Sequence, residues 1–589
     1  MKILLIDALD TADAGPWTGE SWDLIIDLGK AGLRTHEQWS KRFGCEIQGL
    51  DSFRNGFGDF YQVRELLGQG CGLLVDRFGL DWWEILSILL HEELEVIILL
   101  ERLTRTLGSS EEIHISRPGF SADVLHWLLK GRIKIFRPHS GTQKGLRHYL
   151  RAASRLSASQ VMDVLGDKYD SSYRVRGRLA RRRAASSSLV VLVPTAYVNA
   201  SRTGIAYART FSEQNFLFVN TRRSGWMNAP PPNVKMARLS SYAAWSGSGG
   251  ENSDLGRRGK DLLSGLQETA EFEILQRLGR LHLFSERLQH ALKVRDAWGK
   301  VLESEPVQAV LCADDSNPYT RIPLLLARER GLPGIACHHG ALDARYVLKR
   351  SYGSVIWAKG EMERDYLVRK CRVPAERVEI CAPALPMAVK TSPHGGEGRP
   401  CVVFFSEQYE VLGGRGEAAY RDVLPALCDL ASASGRKLVV KLHPAESQRE
   451  RTRFMRQILS EKQFQSTEMI SGPLTEDLLA KIWCAVTVLS TVSTECAVRG
   501  IPCFLCKWLE PGGYEYVEQF VRFGAGIALH GPDEIADIPQ YMEKQPTVEE
   551  ARRSLWQPAE PGRLKALLES RENAAGAAPS DSPRAIMLP

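Results

Sequence analysis

Almost from end to end of the chain, short apolar runs alternate with longer stretches of helical periodicity. This rhythm is the strongest constraint on the fold. Parallel strands cannot be joined by a tight turn and need a crossover, usually a helix, so a strand–helix–strand alternation predicts parallel sheet in an α/β protein. The predicted strands of a first unit are Lys2–Asp7, Leu24–Leu28, Glu112–Ile115 and Ile133–Phe136. Leu189–Pro194, Phe216–Val219, Val307–Ala313 and Gly334–His338 complete an amino-terminal lobe. Ser354–Ala358, Val378–Cys381, Cys401–Phe405, Lys437–Leu442, Ala485–Leu489 and Pro502–Cys506 form a second set. Long helical patterns are expected over Ile85–Leu100, opened by Asp81 with Glu84 as a capping box, and from Lys260 to about Leu302.

At 589 residues the chain is too long for one hydrophobic core, so several lobes are expected. The composition shifts place an α/β unit at 1–165 and a basic linker at 166–188. The rest of a first Rossmann-like lobe follows at 189–350, a second such lobe at 351–545, and a C-terminal helix and tail at 546–589. From about Asn573 the Ala-, Pro- and Ser-rich tail carries too little apolar material to pack.

Charge and cysteine usage exclude several classes. Seventy-six basic residues nearly balance 70 acidic ones, and a net charge of +6 does not call for nucleic acid. One local cluster, Arg174, Arg176, Arg178, Arg181, Arg182 and Arg183, reads either as a solvated linker or as a peripheral contact with anionic membrane or an anionic acceptor. The 12 cysteines lack paired spacing, which points to a reducing, cytoplasmic location, with any membrane contact peripheral and at the inner face. Cys503 and Cys506 form a C-x-x-C, but no second pair at zinc spacing exists, and on one strand they face opposite ways, so no metal site is expected. The most apolar stretch is interrupted by His91, Glu92, Glu93 and Glu95. It falls short of the roughly 20 apolar residues a membrane span needs.

In open parallel sheets, ligands bind beyond the carboxyl ends of the strands, so polar clusters there carry the functional information. Four occur. Asp314-Asp315-Ser316-Asn317 follows a strand and precedes a helical pattern containing Arg321. His338-His339-Gly340-Ala341-Leu342-Asp343 follows the next strand, where a histidine can accept a hydroxyl proton near neutral pH. Lys441-Leu442-His443-Pro444 ends a strongly apolar strand, with a histidine able to donate to a phosphate and Lys441 to supply charge. Ser490-Thr491-Val492-Ser493-Thr494-Glu495 offers hydroxyls and helix amides to a phosphate and a carboxylate to ribose or a base edge.

On these residues the chain resembles the GT-B glycosyltransferases of bacterial surface polysaccharide synthesis, the group with capsule Kdo transferases, polysialyltransferases and CDP-glycerol glycerophosphotransferases. His339-Gly340 is similar to that group's His-Gly element, His443-Pro444 to its His-Pro element, and Ser490–Glu495 to its paired-hydroxyl motif. The glycerophosphotransferases place tryptophan before His-Gly and arginine at the start of the His-Pro element, where this chain has His338 and Lys441. The resemblance implies two facing Rossmann-like domains, here with an N-terminal α/β extension. It also implies inverting, metal-independent transfer from a nucleotide-activated donor, with no cofactor, to a glycan or glycolipid acceptor. His339 is then the general base, with Asp315 second and Asp343 or His338 as orienting partner. Lys441, His443, Pro444, Ser490, Thr491, Ser493, Thr494 and Glu495 hold the donor, and Asn317 and Arg321 lie on the acceptor side. A UDP-N-acetylglucosamine 2-epimerase and a non-catalytic scaffold for polysaccharide assembly are the alternatives.

Overall fold

The computed structural model describes residues 1–7, 10–29, 32–107, 112–136, 188–242, 249–385, 399–407, 416–444, 446–510, 512–542 and 547–576. The arginine cluster 174–183 and the tail beyond 576 lie outside them.

Three parallel sheets carry the fold. The first has β1 (Lys2–Ile6), β2 (Leu24–Asp27), β3 (Glu46–Gly49), β4 (Glu112–Ile115) and β5 (Ile133–Ile135) in the order β3-β2-β1-β4-β5. The second has β6 (Val190–Thr195), β7 (Phe216–Asn220), β8 (Val234–Arg238), β9 (Val307–Cys312), β10 (Gly334–Cys337), β11 (Val355–Ala358) and β12 (Val378–Ile380), ordered β12-β11-β10-β9-β6-β7-β8. The third has β13 (Cys401–Phe405), β14 (Lys437–Lys441), β15 (Thr467–Ile470), β16 (Ile482–Thr487), β17 (Cys503–Cys506) and β18 (Ile527–Leu529), ordered β15-β14-β13-β16-β17-β18. The class is therefore α/β, with Rossmann-like winding in each sheet. The direction of winding reverses once per sheet, between β1 and β4, β6 and β9, and β13 and β16. A crevice opens at each reversal, because the crossovers leave to opposite faces.

One boundary moves. The runs expected to open the second lobe, β11 and β12, instead extend the second sheet through β10. The lobes therefore divide after β12 and not at 350. The apolar sequence of these strands fits either sheet, and the choice is made by burial: Trp357 packs with Tyr207 and Phe211 beneath the second sheet.

The amino-terminal unit is wedged against both other lobes. Asp81 caps the helix Trp82–Ser87 by accepting from the amides of Trp83 and Glu84, as the sequence predicts. Glu84, the expected reciprocal partner of that box, turns away to the second lobe, where it pairs with Arg321 at 2.6 Å and accepts from Ser351 N at 2.7 Å. Toward the third lobe, the helix Leu33–Phe43 has no side-chain cap of its own. Asp422, fully buried on the helix Gly416–Ala433, supplies one, accepting from Leu33 N at 2.9 Å and Arg34 N at 3.4 Å. Glu515 likewise accepts from Phe57 N at 3.0 Å. The expected helix from Lys260 to Leu302 is broken into Gly249–Gly265, Ala270–Arg277 and His282–Ser304, with Gly279 left-handed (φ 70°) before the last.

After the third sheet the chain returns to the second. Ala382 exchanges backbone bonds with Gln557 and Ala559, and Leu564 of the helix Arg563–Gly576 is buried in the same cluster as Trp357. This helix extends into the segment expected to lack packed structure. Cys503 and Cys506 face opposite sides of the third sheet, one in each core, and all 12 cysteines are free thiols. No helix among the described residues is long and apolar enough to cross a membrane.

Candidate active site in the cleft between the second and third sheets

At the winding reversal of the second sheet, β6 runs out into Tyr197 and β9 into Asp314, with the loop after β10 beside them. Tyr197 donates its hydroxyl proton to Asp314 and lies 3.1 Å from His339 Nδ1. Burial and the Asp314 charge push the phenol far up, so it stays protonated. With its one proton on the carboxylate, the phenol oxygen accepts from Nδ1–H. The lone pair of His339 is then on Nε2. Burial lowers the proton affinity of His339, helped by Arg345 and Lys359 and opposed by Asp314, so the imidazole is neutral near pH 7 and able to take a proton.

The backbone around His339 is pinned as well. Lys359, which follows β11, donates to the carbonyls of His338 at 2.6 Å and Gly340 at 2.7 Å, one on each side of His339. His338 is buried, with neither ring nitrogen hydrogen-bonded, its Nε2 3.7 Å from Asp343. Burial first, then His339, holds it neutral. Asp314, His338 and His339 bring one carboxylate oxygen and two imidazole nitrogens within 4.8 Å, a donor set a divalent ion could use. Two features oppose that use: the phenol of Tyr197 already links Asp314 to His339, and the Arg345 and Lys359 charges that disfavour protonation of the imidazoles also disfavour a cation.

Three expected roles are corrected. Asp315 is no second base: it is 1% exposed and locked to the fully buried Lys349 at 2.7 Å. Asn317 caps the helix Pro318–Glu329, accepting from Tyr319 N at 3.0 Å. Arg321 is buried against Glu84 of the amino-terminal unit and the carbonyl of Ser351. All three lie at or just beyond the carboxyl end of β9, and each side chain is bonded within the fold. Asp343 is tied to Arg345 at 2.9 Å and faces His338, so the carboxylate that orients His339 is Asp314, through Tyr197.

Across the cleft stands the turn after β16. A Cβ built on Gly340 would lie 3.4 Å from Thr491 Cγ2, so the His-Gly loop and the hydroxyl-rich turn face each other directly. Arg202, exposed on the helix Val198–Thr210 after β6, is close enough for its charge to act on both Lys441 and Glu495. Burial raises the Glu495 carboxyl against Arg499 and Arg202. Within the turn, the amides of Ser493, Thr494 and Glu495 bond back to Ser490 and Thr491, and the Thr494 hydroxyl donates to Thr491 O at 2.6 Å. Ser493 is fully buried. The cleft-facing groups of the motif are thus Ser490, Thr491 and Glu495, and the expected set of free helix amides is spent internally. His443 is partly exposed in a turn held by Glu446, which accepts from His443 N at 2.9 Å and from Arg451 Nε at 2.7 Å. Pro444 is exposed beside it. Lys441 is buried and spends its ammonium on the carbonyls of Leu442 and Gly472, 3.0 and 2.6 Å away.

No family model matches the chain, and no curated protein does. Among solved structures, a putative UDP-N-acetylglucosamine 2-epimerase from Listeria monocytogenes is 10% identical over 68% of this chain and 100% of its own, with TM-score 0.39. CalG4, the calicheamicin glycosyltransferase, is 10% identical over 66% of this chain and 99% of its own, with TM-score 0.38. MurG of Acinetobacter baumannii is 12% identical over 66% and 100%, with TM-score 0.36. The class that the sheets and cleft define is an α/β protein of three Rossmann-like parallel-sheet units, the second and third facing each other across the cleft.

Proposed function

We propose that the protein is a glycosyltransferase that moves a sugar or polyol phosphate from a nucleotide-activated donor to a glycan or glycolipid acceptor, with inversion and without a metal ion. The observation that carries this is the meeting of the His339 loop with the Thr491 turn across one cleft, each at the carboxyl end of a parallel sheet. The donor lies on the third lobe, its phosphate against His443, Ser490 and Thr491 and its nucleoside toward Glu495. Arg202 adds positive charge from the opposite wall. The acceptor hydroxyl lies on the second lobe at His339.

In the transfer step the acceptor oxygen attacks the anomeric carbon of a donor sugar, or the phosphorus that carries the polyol, and Nε2 of His339 takes the hydroxyl proton. The bond from that carbon or phosphorus to the oxygen of the departing nucleotide phosphate breaks, with its electron pair leaving on that oxygen. The imidazolium that forms is stabilised by Asp314 through the Tyr197 phenol, and the departing charge by hydroxyl and imidazole donors. Holding both partners in one cleft supplies the orientation.

Thermal shift with CMP, CDP, UDP and GDP tests donor binding, since a ligand at 100 times its Kd adds about 2.7 kcal/mol. His339→Ala is expected to abolish transfer, with nucleotide binding retained and wild-type activity insensitive to chelator. Full activity in that variant removes the base assignment, and failure of all four nucleotides to bind removes the donor site.

A further inference from the structure

Glu407 stands two residues beyond β13, at the winding reversal of the third sheet and facing the end of β16. Its Oε1 accepts from Thr487 Oγ1 at 2.9 Å and from Leu489 N at 2.7 Å, so one carboxylate staples the last residue of β16 to the start of the Ser490 turn. It is 7% exposed, and no Lys, Arg or His pairs with it among the described residues. Among the described residues, the titratable groups packed around it add no cation. Cys506 of β17 feels its charge together with that of Asp422 from the helix Gly416–Ala433. Tyr420 of the same helix bonds the neighbouring Ser406 at 2.8 Å and reaches Glu446. Among the described residues its charge is therefore met only by hydrogen-bond donors, those of Thr487, Val488, Leu489 and Ser490, and by no cation.

We propose that Glu407 is a positioning residue for the nucleotide donor: it fixes the end of β16 and the turn that follows, and it takes up a proton when an anionic phosphate settles on that turn. This rests on the donor site proposed above. Burial raises the carboxyl to about 7 despite its hydrogen bonds, so it is divided between its two forms in the working range. A phosphate at Ser490 disfavours the ionised form further. Binding therefore draws up to one proton from the buffer onto Glu407, with no bond broken, and affinity falls as pH rises through 7, by up to about tenfold per pH unit.

The test uses the full chain and calorimetric titration with UDP, CDP and GDP between pH 6 and 8.5, in two buffers of different ionisation enthalpy. Wild type is expected to bind its preferred nucleotide with fractional proton uptake and to lose affinity toward high pH. Glu407→Gln keeps an amide oxygen to accept from Leu489 N and is expected to bind at high pH as wild type does at low pH, without proton uptake. Glu407→Ala, which removes the staple, is expected to weaken binding at every pH. The nucleotide's own phosphate titrates identically against each protein, so the difference between them isolates Glu407. Wild-type pH slope and proton uptake in Glu407→Gln, or undiminished affinity in Glu407→Ala, overturns the proposal while leaving the donor site in place. Absence of binding by wild type to all three nucleotides instead sinks the donor site, and this proposal with it.

Discussion

Replacing Glu84 by Gln should loosen the amino-terminal unit from the second lobe by an amount the structure sets. Burial opposes ionisation of Glu84, but Arg321, the amides of Arg350 and Ser351 and the Ser351 hydroxyl outweigh it and hold the carboxyl at about 2, against an ordinary 4.5. That difference favours the ionised form by about 3.4 kcal/mol. It agrees with the roughly 3–5 kcal/mol that follows from removing one partner of a buried pair and leaving the other charge unmatched, here the 2%-exposed Arg321. Because the folded-state value is depressed, the contribution is fully present above pH 4.5 and fades as pH falls toward 2. Urea unfolding of wild type and Glu84→Gln should therefore show a gap of about 3 kcal/mol that is constant from pH 7 to pH 5 and shrinks to about 1.4 kcal/mol near pH 3. A gap below about 0.5 kcal/mol at pH 7, the size of an ordinary surface substitution, or one that widens on acidification, refutes this account of how the unit is held.

Two further outcomes are expected. Tyr197→Phe removes the hydroxyl between Asp314 and His339, a charge-assisted link of about 1.5–3 kcal/mol. Transfer should fall by roughly ten- to a hundredfold while nucleotide affinity, measured by titration, stays unchanged; a matching loss of affinity would place Tyr197 in donor binding. Asp422→Ala removes the borrowed cap of the helix Leu33–Phe43, costing about 1 kcal/mol, so amide exchange at Leu33 and Arg34 should quicken while that of β16 does not.

The class of fold was legible because central strands such as Val190–Thr195 and Ile482–Thr487 are buried on both faces and read as continuous apolar runs. The strands that escaped notice, β3, β8, β15 and β18, all lie at sheet edges. Glu46–Gly49 and Thr467–Ile470 are largely half-exposed, so their composition carries little apolar signal. Sheet membership of β11 and β12 was not legible, since neighbouring strands with the same period and burial have no local mark of which core they fill. At the site, three of the four strand-end clusters meet, Asp314 with His339 through Tyr197 and the His339 loop with Thr491. The side chains within each loop were harder to rank. Adjacent Asp314 and Asp315 differ only in which way they point, one bonded to Tyr197 and the other to Lys349. Tyr197, Lys359, Arg202 and Glu407 carry no motif, and the available signal was position alone: Tyr197 and Glu407 each follow the strand at which their sheet reverses its winding.

The two passages of chain between the second and third lobes run side by side where Ala382 meets Pro558, and the lobes are also bonded directly through Ala344 to Tyr516, Tyr366 to Tyr514 and Asp365 to Gln519 and Arg522. The amino-terminal unit reaches across from one lobe to the other, gripping the second through Glu84 and the third through Asp422 and Glu515. The first sheet, remote from the reacting atoms, thus shares with those direct bonds the work of fixing the width of the cleft, and a substitution that frees one of its grips leaves the second and third lobes braced by fewer contacts.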